Sequence, residues 1–463
     1  MGLFSILYTS RDALQAHSRG LQTTGQNIAN VNTPGYARRA VILEPRPYGP
    51  GAYGGVDAVE VRRITDRFLE QRYFDKSGLS SSANERDQQL AQIDGLFDET
   101  LGARMGGAMD QFFTSFSTLA ARPNDPTTRA QALASADVFA AQVRDTANTV
   151  ATLRTDLATQ ASSVVKVVND LATNIAKINQ QIEAAENAGS DAVDLKDQRN
   201  TLLQQLSEKV NINVITAESG RITVQAAGAT LIDGDVARAL GIDVDSNGAL
   251  KLMAQRSGGP AMDATSGLSG GTLDGIFQVR DSDLTTIATR LDNFAYDIAT
   301  AVNTQHAAGF GLDGINGRNL FSVSPTVAGA ARSLSIDAQL VGHPERLAAS
   351  SSAAALPGGA DNALSISKIS AQAVSGGGTR TPAEDFAALL GQVGQLKAGA
   401  ASTAATQEAL KAQAKDLRET VSGVSLDEEM ISLTQYQRAY EASTKVLQTV
   451  DQLLDELIQR LGR

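Results

Sequence analysis

The chain has 463 residues, too many for one ordinary core and enough for about three domains. Forty Lys and Arg against 51 Asp and Glu leave a formal net charge of −11, which argues against a nucleic-acid or anionic-membrane binder, since phosphate contacts need clustered cations. No Cys and only three His (His17, His306, His343) exclude a disulfide framework, a thiolate metal site and a Cys nucleophile, and no metal or cofactor is expected.

Residues 1–30 read as an amphipathic helix. Leu7, Leu14, Leu21 and Ile28 recur every seven positions, and the alternate row is Leu3, Ser10, His17, Thr24 and Val31, so the seam is only half apolar. Asn32-Thr33-Pro34-Gly35 ends the helix, because proline drives the preceding residue out of the helical region. Strands are predicted at 36–46 and 55–64, around the connection PRPYGPGAYGG. The densest basic stretch (Arg38, Arg39, Arg46, Arg62, Arg63, Arg67, Arg72) is interleaved with Glu44, Asp57, Glu60, Asp66 and Glu70 and reads as a solvated surface.

From about 64 to 210 the period is helical, with breaks near Gly102–Gly107 and at Pro123–Pro126. Leu157, Val164, Val168, Leu171, Ile175, Ile178 and Ile182 mark a long helix; Asn187–Ser190 turns the chain and Leu195–Leu206 returns it. The period then falls to two, with strands at 211–216, 221–225 and 230–232 and β-rich chain to about 280. A helix is predicted at 281–307, an irregular Gly/Ser/Ala stretch with one strand (333–337) at 308–380, and a capped helix from Thr381-Pro382-Ala383-Glu384. A second capping box, Ser425–Glu428, opens the sharpest heptad: Leu426, Leu433, Tyr440, Leu447, Leu454, Leu461.

No apolar run approaches the roughly 18 residues of a membrane helix. Residues 1–12 lack a basic start, so a cleaved secretory signal is not expected. A narrow apolar stripe needs a partner helix. Pairing of the two ends, within one chain or between many, is the economical way to meet that need; the alternative is that each end packs on the helical body as ordinary core.

Three strings mimic chemical motifs. Gly309–Gly314 matches the dinucleotide glycine pattern but follows a helix instead of a strand. Asp243–Gly248 opens like a calcium loop, yet Ala254 stands where the bidentate Glu belongs. Gly267–Gly271 spells GxSxG around Ser269 inside a Gly/Ser loop, where a nucleophile elbow needs strand into helix. Glu428 and Glu429 fall in a first helical turn and read as cap and dipole partners. No catalytic, cofactor or metal residue is expected.

Gly25–Tyr36 (GQNIANVNTPGY) resembles the N-terminal signature of bacterial flagellar rod, hook and hook-associated proteins. Ser422–Glu429, Gln435–Tyr440 and Lys445–Thr449 are similar to the matching C-terminal end, and Leu195–Leu203 with Asn319–Phe321 bring the chain nearest the hook–filament junction (FlgK) family. The resemblance implies a mainly α fold with inserted β: a coiled-coil-like axial core of terminal helices, a long-helix bundle and a small outward β-domain. It suggests an axial domain at 1–63 plus 424–463, with a hairpin at 36–64. The bundle would take 64–211, 281–310 and 381–423, the β-rich insert 212–280, and a reduced outer insertion with irregular chain 311–380.

It further implies a non-enzymatic structural subunit, exported through the flagellar type III apparatus to the extracellular flagellum after a cytoplasmic stage. The expected partners are copies of itself, hook protein on one side, a second junction protein or filament on the other, and an export chaperone on the C-terminal helix; nucleic acid and membrane insertion are not expected. Leu7, Leu14, Leu21, Ile28, Leu426, Leu433, Tyr440, Leu447 and Leu454 are the candidate axial interface, and Leu433, Tyr440 and Leu447 the chaperone and assembly anchors. Asn30, Thr33, Pro34, Gly35 and Tyr36 form the signature turn. A rod or hook subunit is the alternative within that superfamily; a secreted helical adhesin and a Ser269 hydrolase are the alternatives outside it.

Overall fold

The computed structural model describes residues 3–46, 54–97, 104–217 and 220–461. Helix α1 (Leu3–Ala29) leads into an antiparallel hairpin, β1 (Arg39–Arg46) and β2 (Gly55–Arg63), with a bulge between Ile42 and Leu43. Most of the Pro/Gly connection, 47–53, lies outside the described residues, as does 98–103, where the expected break near Gly102 begins. Asp66 caps α2 (Arg67–Leu96), accepting the Phe68 and Leu69 amides.

Long helices make the body. After α3 (Met105–Ala121), Asp125 caps and Pro126 starts α4 (Pro126–Asn187), 62 residues without interruption and so about 93 Å long at 1.5 Å per residue. Its first half buries Phe139 against Phe112 (ring centroids 5.7 Å apart, stacked), Phe116 and Phe321. Its second half buries Val165, Val168, Ala172 and Ile175. The turn at Gly189 sends the chain back as α5 (Val193–Lys209).

The β insert is two antiparallel sheets. β3 (Ile212–Thr216), β4 (Ile222–Ala226), β5 (Ala229–Asp233) and β6 (Val236–Ala237) form a meander. β7 (Leu240–Val244), β8 (Leu250–Arg256) and β9 (Gly259–Asp263) form the second sheet. Both are tied to α4: Asn169 bonds the Leu240 amide and carbonyl (each 2.9 Å) and Asn179 donates to the Gly234 carbonyl at 2.6 Å.

The helical chain resumes nine residues before the expected position 281. Helix α6 (Thr272–Gln278) passes through a π turn at Val279–Asp283 into α7 (Leu284–Ala308). Gly270-Gly271, which read as linker, is a close backbone contact, the Gly271 amide donating to the Gly78 carbonyl at 2.8 Å, and it seats Leu273, Ile276 and Val279 in the core.

Residues 311–380 are irregular and carry short elements packed on the helical body. β10 (Phe321–Ser322) and β11 (Ser335–Ile336) pair around α8 (Ala330–Ser333), and an unforeseen helix, α9 (Asp361–Lys368), packs on α3 and α7 through Ala363 and Ile366. Thr381 and Glu384 form the expected reciprocal box at the start of α10 (Pro382–Ser422), which runs along α2. The last element, α11 (Leu426–Leu461), returns to α1.

Candidate functional site

The two ends of the chain meet. Gly20 lies against Tyr436, whose ring would stand 2.6 Å from a Cβ placed there, and His17 stands 6.3 Å from the same ring, its pKa lowered by burial. Asn27 reaches Glu429, so the helices run antiparallel, with Ser5, Ile6, Thr9, Ser10 and Ala13 facing Ala442, Ser443 and Val446.

The buried face of α1 is Ser10, Asp12, Ala16, Gly20, Thr23, Thr24 and Asn27, small and polar where an apolar seam was expected. Leu7, Leu14, Leu21 and Ile28 are half-buried along its flank. On α11, Leu433, Leu447 and Leu454 are half-buried, Leu426 and Tyr440 are exposed, and the Leu461 side chain lies outside the described residues. The row that looked weaker in sequence is the one that closes the pair, since small residues let two helices approach. The leucine rows are left at its edges.

Below the seam sits a polar lock. The Asn27 side-chain amide donates to Glu429 Oε2 (3.0 Å) and the Arg39 carbonyl (2.9 Å), while its oxygen accepts from the Tyr36 hydroxyl (2.8 Å) and the Arg39 amide (3.0 Å). Arg38 meets Glu429 at 2.7 Å and Glu428 at 3.0 Å. The two glutamates therefore join the chain ends, a larger role than the capping expected of them. Burial holds the Tyr36 hydroxyl up at about 12, so it remains a donor.

The signature turn shapes this lock. Asn30 accepts the Thr33 hydroxyl, Tyr36 donates its amide to the Thr33 carbonyl, and Thr33 and Pro34 are exposed. Gly35 has φ +82°, where a Cβ would strike the Thr201 hydroxyl of α5.

From the lock, Arg39 extends to α5, pairing with Asp194 (2.6 Å) and Asp197 (2.7 Å), and Arg63 of β2 meets Asp197 at 2.6 Å. Arg19 of α1 reaches Asp191 at 2.7 Å. These carboxylates lie just before and within the start of the interior 195–203 match, which is how that segment ties the ends to the bundle. Sequence reasoning missed Asn27, Arg38, Arg39, Asp194 and Asp197 as partners. The available signal was the pair Arg38-Arg39 directly after the N-terminal motif, and Asp194 and Asp197 at the start of the interior one.

The chemical look-alikes resolve as structure. Asp245 Oδ1 accepts the Asn247 and Ala249 amides in a hairpin turn between β7 and β8. Ser269 is exposed in a loop, its amide on Asn211. His306 is fully buried: Nδ1 donates to the Arg318 carbonyl (2.7 Å) and Nε2 accepts from the Ala348 amide (3.1 Å). That geometry staples the 309–314 glycine loop and leaves His306 no chemistry to perform. Among the described residues no cluster of metal-ligating side chains occurs.

Residues 90–321 match the profile of the flagellar hook-associated protein FlgK helical domain, half of the chain. The chain belongs to the FlgK family. Profiles of the basal-body rod proteins match only the ends, residues 7–36 and 420–460, which sets aside the rod and hook alternatives. Flagellar hook-associated protein 1 of Bacillus subtilis is 27% identical, the match covering 99% of this chain and 98% of the relative. Its Salmonella typhimurium counterpart is 26% identical over 98% and 99%. The flagellar hook junction protein FlgK from Burkholderia pseudomallei has the same fold, at TM-score 0.67 and 16% identity, over 76% of this chain and all of that one. As a FlgK-family member, the chain is a structural protein of the flagellar hook–filament junction and not an enzyme.

Proposed function

We propose that the chain builds the junction by packing its α1–α11 pair against the same pair of neighbouring copies, in an inner helical ring or tube. Hook protein borders the ring on one side, and a second junction protein or the filament on the other. The observation that carries this reading is the surface the pair leaves open: Phe4, Leu426, Met430, Ile431, Tyr440, Val446, Leu453, Leu457 and Ile458 are large apolar residues exposed on one two-helix element. So many large apolar side chains left bare on one two-helix element mark an interface on a folded chain. Leu7, Leu14, Leu21 and Ile28, with Leu433, Leu447 and Leu454, extend it as half-covered flanks.

Assembly follows export through the flagellar type III apparatus to the cell exterior. A cytoplasmic chaperone on Leu433, Tyr440 and Leu447 keeps α11 from premature pairing. No described helix is long and apolar enough to cross a membrane.

Amide hydrogen exchange tests the reading. Residues 5–30 and 430–458 should exchange fast in the dilute monomer, because a two-helix pair with a small, polar seam has little to hold it alone. They should become strongly protected in isolated hook–junction assemblies. Equal protection in both states would make the ends ordinary core and sink the proposal.

A further inference from the structure

The basic stretch around β2 and α2 does not stay mixed once folded. Arg38, Arg39, Arg46 and Arg63 are taken by acids. Arg62, Arg67 and Arg72 remain exposed, with no ion pair among the described residues. Of the neighbouring acids, Asp66 caps α2, Asp75 accepts from Gln71 and Glu70 accepts from Asn200, while Glu60, two positions before Arg62 on β2, has no ion pair among the described residues. Phe68, 88% exposed, is the barest large apolar side chain among the described residues, and it shares a helix face with Arg72 four positions on. A naked Phe among three free arginines has the composition of an interface core with a charged rim.

The matching surface is at the other end of the molecule. Gly20 opposite Tyr436 and Asn27 opposite Glu429 fix a register in which α1 begins level with about residue 453 of α11. The last eight residues of α11, Leu454–Leu461, therefore run about 12 Å beyond the first described residue of α1. On and beside this overhang, Leu453, Leu457 and Ile458 are exposed apolar residues, and Asp451, Asp455 and Glu456 are exposed acids with no ion pair among the described residues.

We propose that the patch of Arg62, Arg67, Phe68 and Arg72 receives the overhanging end of α11 from a second copy of this chain. Phe68 packs among Leu453, Leu457 and Ile458, and the three arginines face the three acids. Patch and overhang lie at opposite ends of the paired helices, so one molecule does not satisfy itself through them. A contact between two different surfaces of identical chains is heterologous, the kind that generates rings and helical arrays. The charges set register and partner choice more than raw affinity, and many weak copies of the contact add up along the assembly. This rests on the assembly reading above and specifies which surfaces meet.

The native absence of Cys makes the test clean. Hook–junction assemblies would be formed from an equal mixture of F68C and L457C chains and oxidised mildly. A disulfide-linked dimer of the two variants is expected, with none from the monomer mixture before assembly. Assemblies that form without this dimer, or in which L457C links instead to hook or filament-side protein, overturn the inference while leaving the assembly reading intact. Failure of the wild-type chain to assemble overturns both. Independently, the double change R67E/R72E should raise the concentration needed for assembly at least tenfold with unchanged monomer melting. Adding D455R/E456R should restore it, and no restoration in well-folded chains counts against the pairing.

Discussion

At the scale of single residues, His306 shows how a reactive side chain becomes structural. Both ring nitrogens are spent on backbone groups, one donating to the Arg318 carbonyl and one accepting the Ala348 amide. A proton on Nε2 would break the second bond and charge a buried ring, and burial accordingly lowers its pKa to about 4. Below the usual 6.5 the unfolded chain binds a proton that the folded chain resists. Stability is therefore full above about pH 6.5 and falls as pH drops toward 4, by about 3 kcal/mol when the 2.5-unit gap is converted. Urea unfolding of the 104–422 region, followed from pH 7.5 to 4, should show this slope. In H306Q the slope should shrink, although that variant starts out less stable because the Ala348 amide loses its acceptor. An identical slope in both proteins would mean that carboxylates alone account for the acid sensitivity.

Elements show where sequence periodicity informs and where it misleads. The long helices, the first hairpin, the meander and the Thr381 cap were legible because each depends on neighbours within a few positions. Helix α6 was hidden by Gly270-Gly271, whose role as a backbone contact with Gly78 depends on a helix nearly two hundred positions earlier. Helix α9 was hidden by Ser and Ala composition, although Ala363 and Ile366 are fully buried.

The seam between α1 and α11 misled in a third way, since its heptad leucines are flanks and its closing residues are small. Gly20 puts this to the test. In an isolated helix Gly→Ala stabilises by about 1 kcal/mol. Here the added methyl meets the Tyr436 ring, so G20A should instead loosen the pair by about 1–3 kcal/mol, read as weaker amide protection over 5–30 and 430–450 in the assembled protein. In a Y436A background the same change should be neutral or stabilising. Additive effects in the two backgrounds would show that Gly20 does not set the approach of the helices.

For the whole molecule, the question is how the chain ends are held to the bundle. Much of the answer passes through Asp191, just before α5, and the first turns of α5. Asp191 takes Arg19 and the Val61 amide, and Asp197 takes both Arg39 and Arg63. None of this was legible beforehand, because Asp197 stands 158 positions from Arg39 and only the fold brings them together. The Arg39 side chain is 5% exposed and that of Asp197 13%, so neither is bathed in solvent, and the other Arg39 partner, Asp194, is 79% exposed. Removing Asp197 thus leaves Arg63 without a carboxylate and Arg39 with only the exposed Asp194, a change that costs at most about 3–5 kcal/mol, the loss when a buried pair is broken.

Because those bonds cross from the axial element to the bundle, the loss should fall on their connection and spare the bundle core of Phe112, Phe139 and Phe321. D197A should keep the main thermal transition within a few degrees. It should gain an earlier one, accompanied by rapid proteolysis within 30–66 and 423–430. D197N, which keeps the shape and one hydrogen-bond acceptor, should fall between the two. The ring proposed above would pass load from the terminal helices to the bundle and so needs this connection to be stiff, and assemblies built from D197A should shear apart at lower flow rates than wild type. If D197A unfolds in one transition at the wild-type temperature and resists shear equally, the connection rests on the α2–α10 contacts beside it and not on the carboxylates of α5.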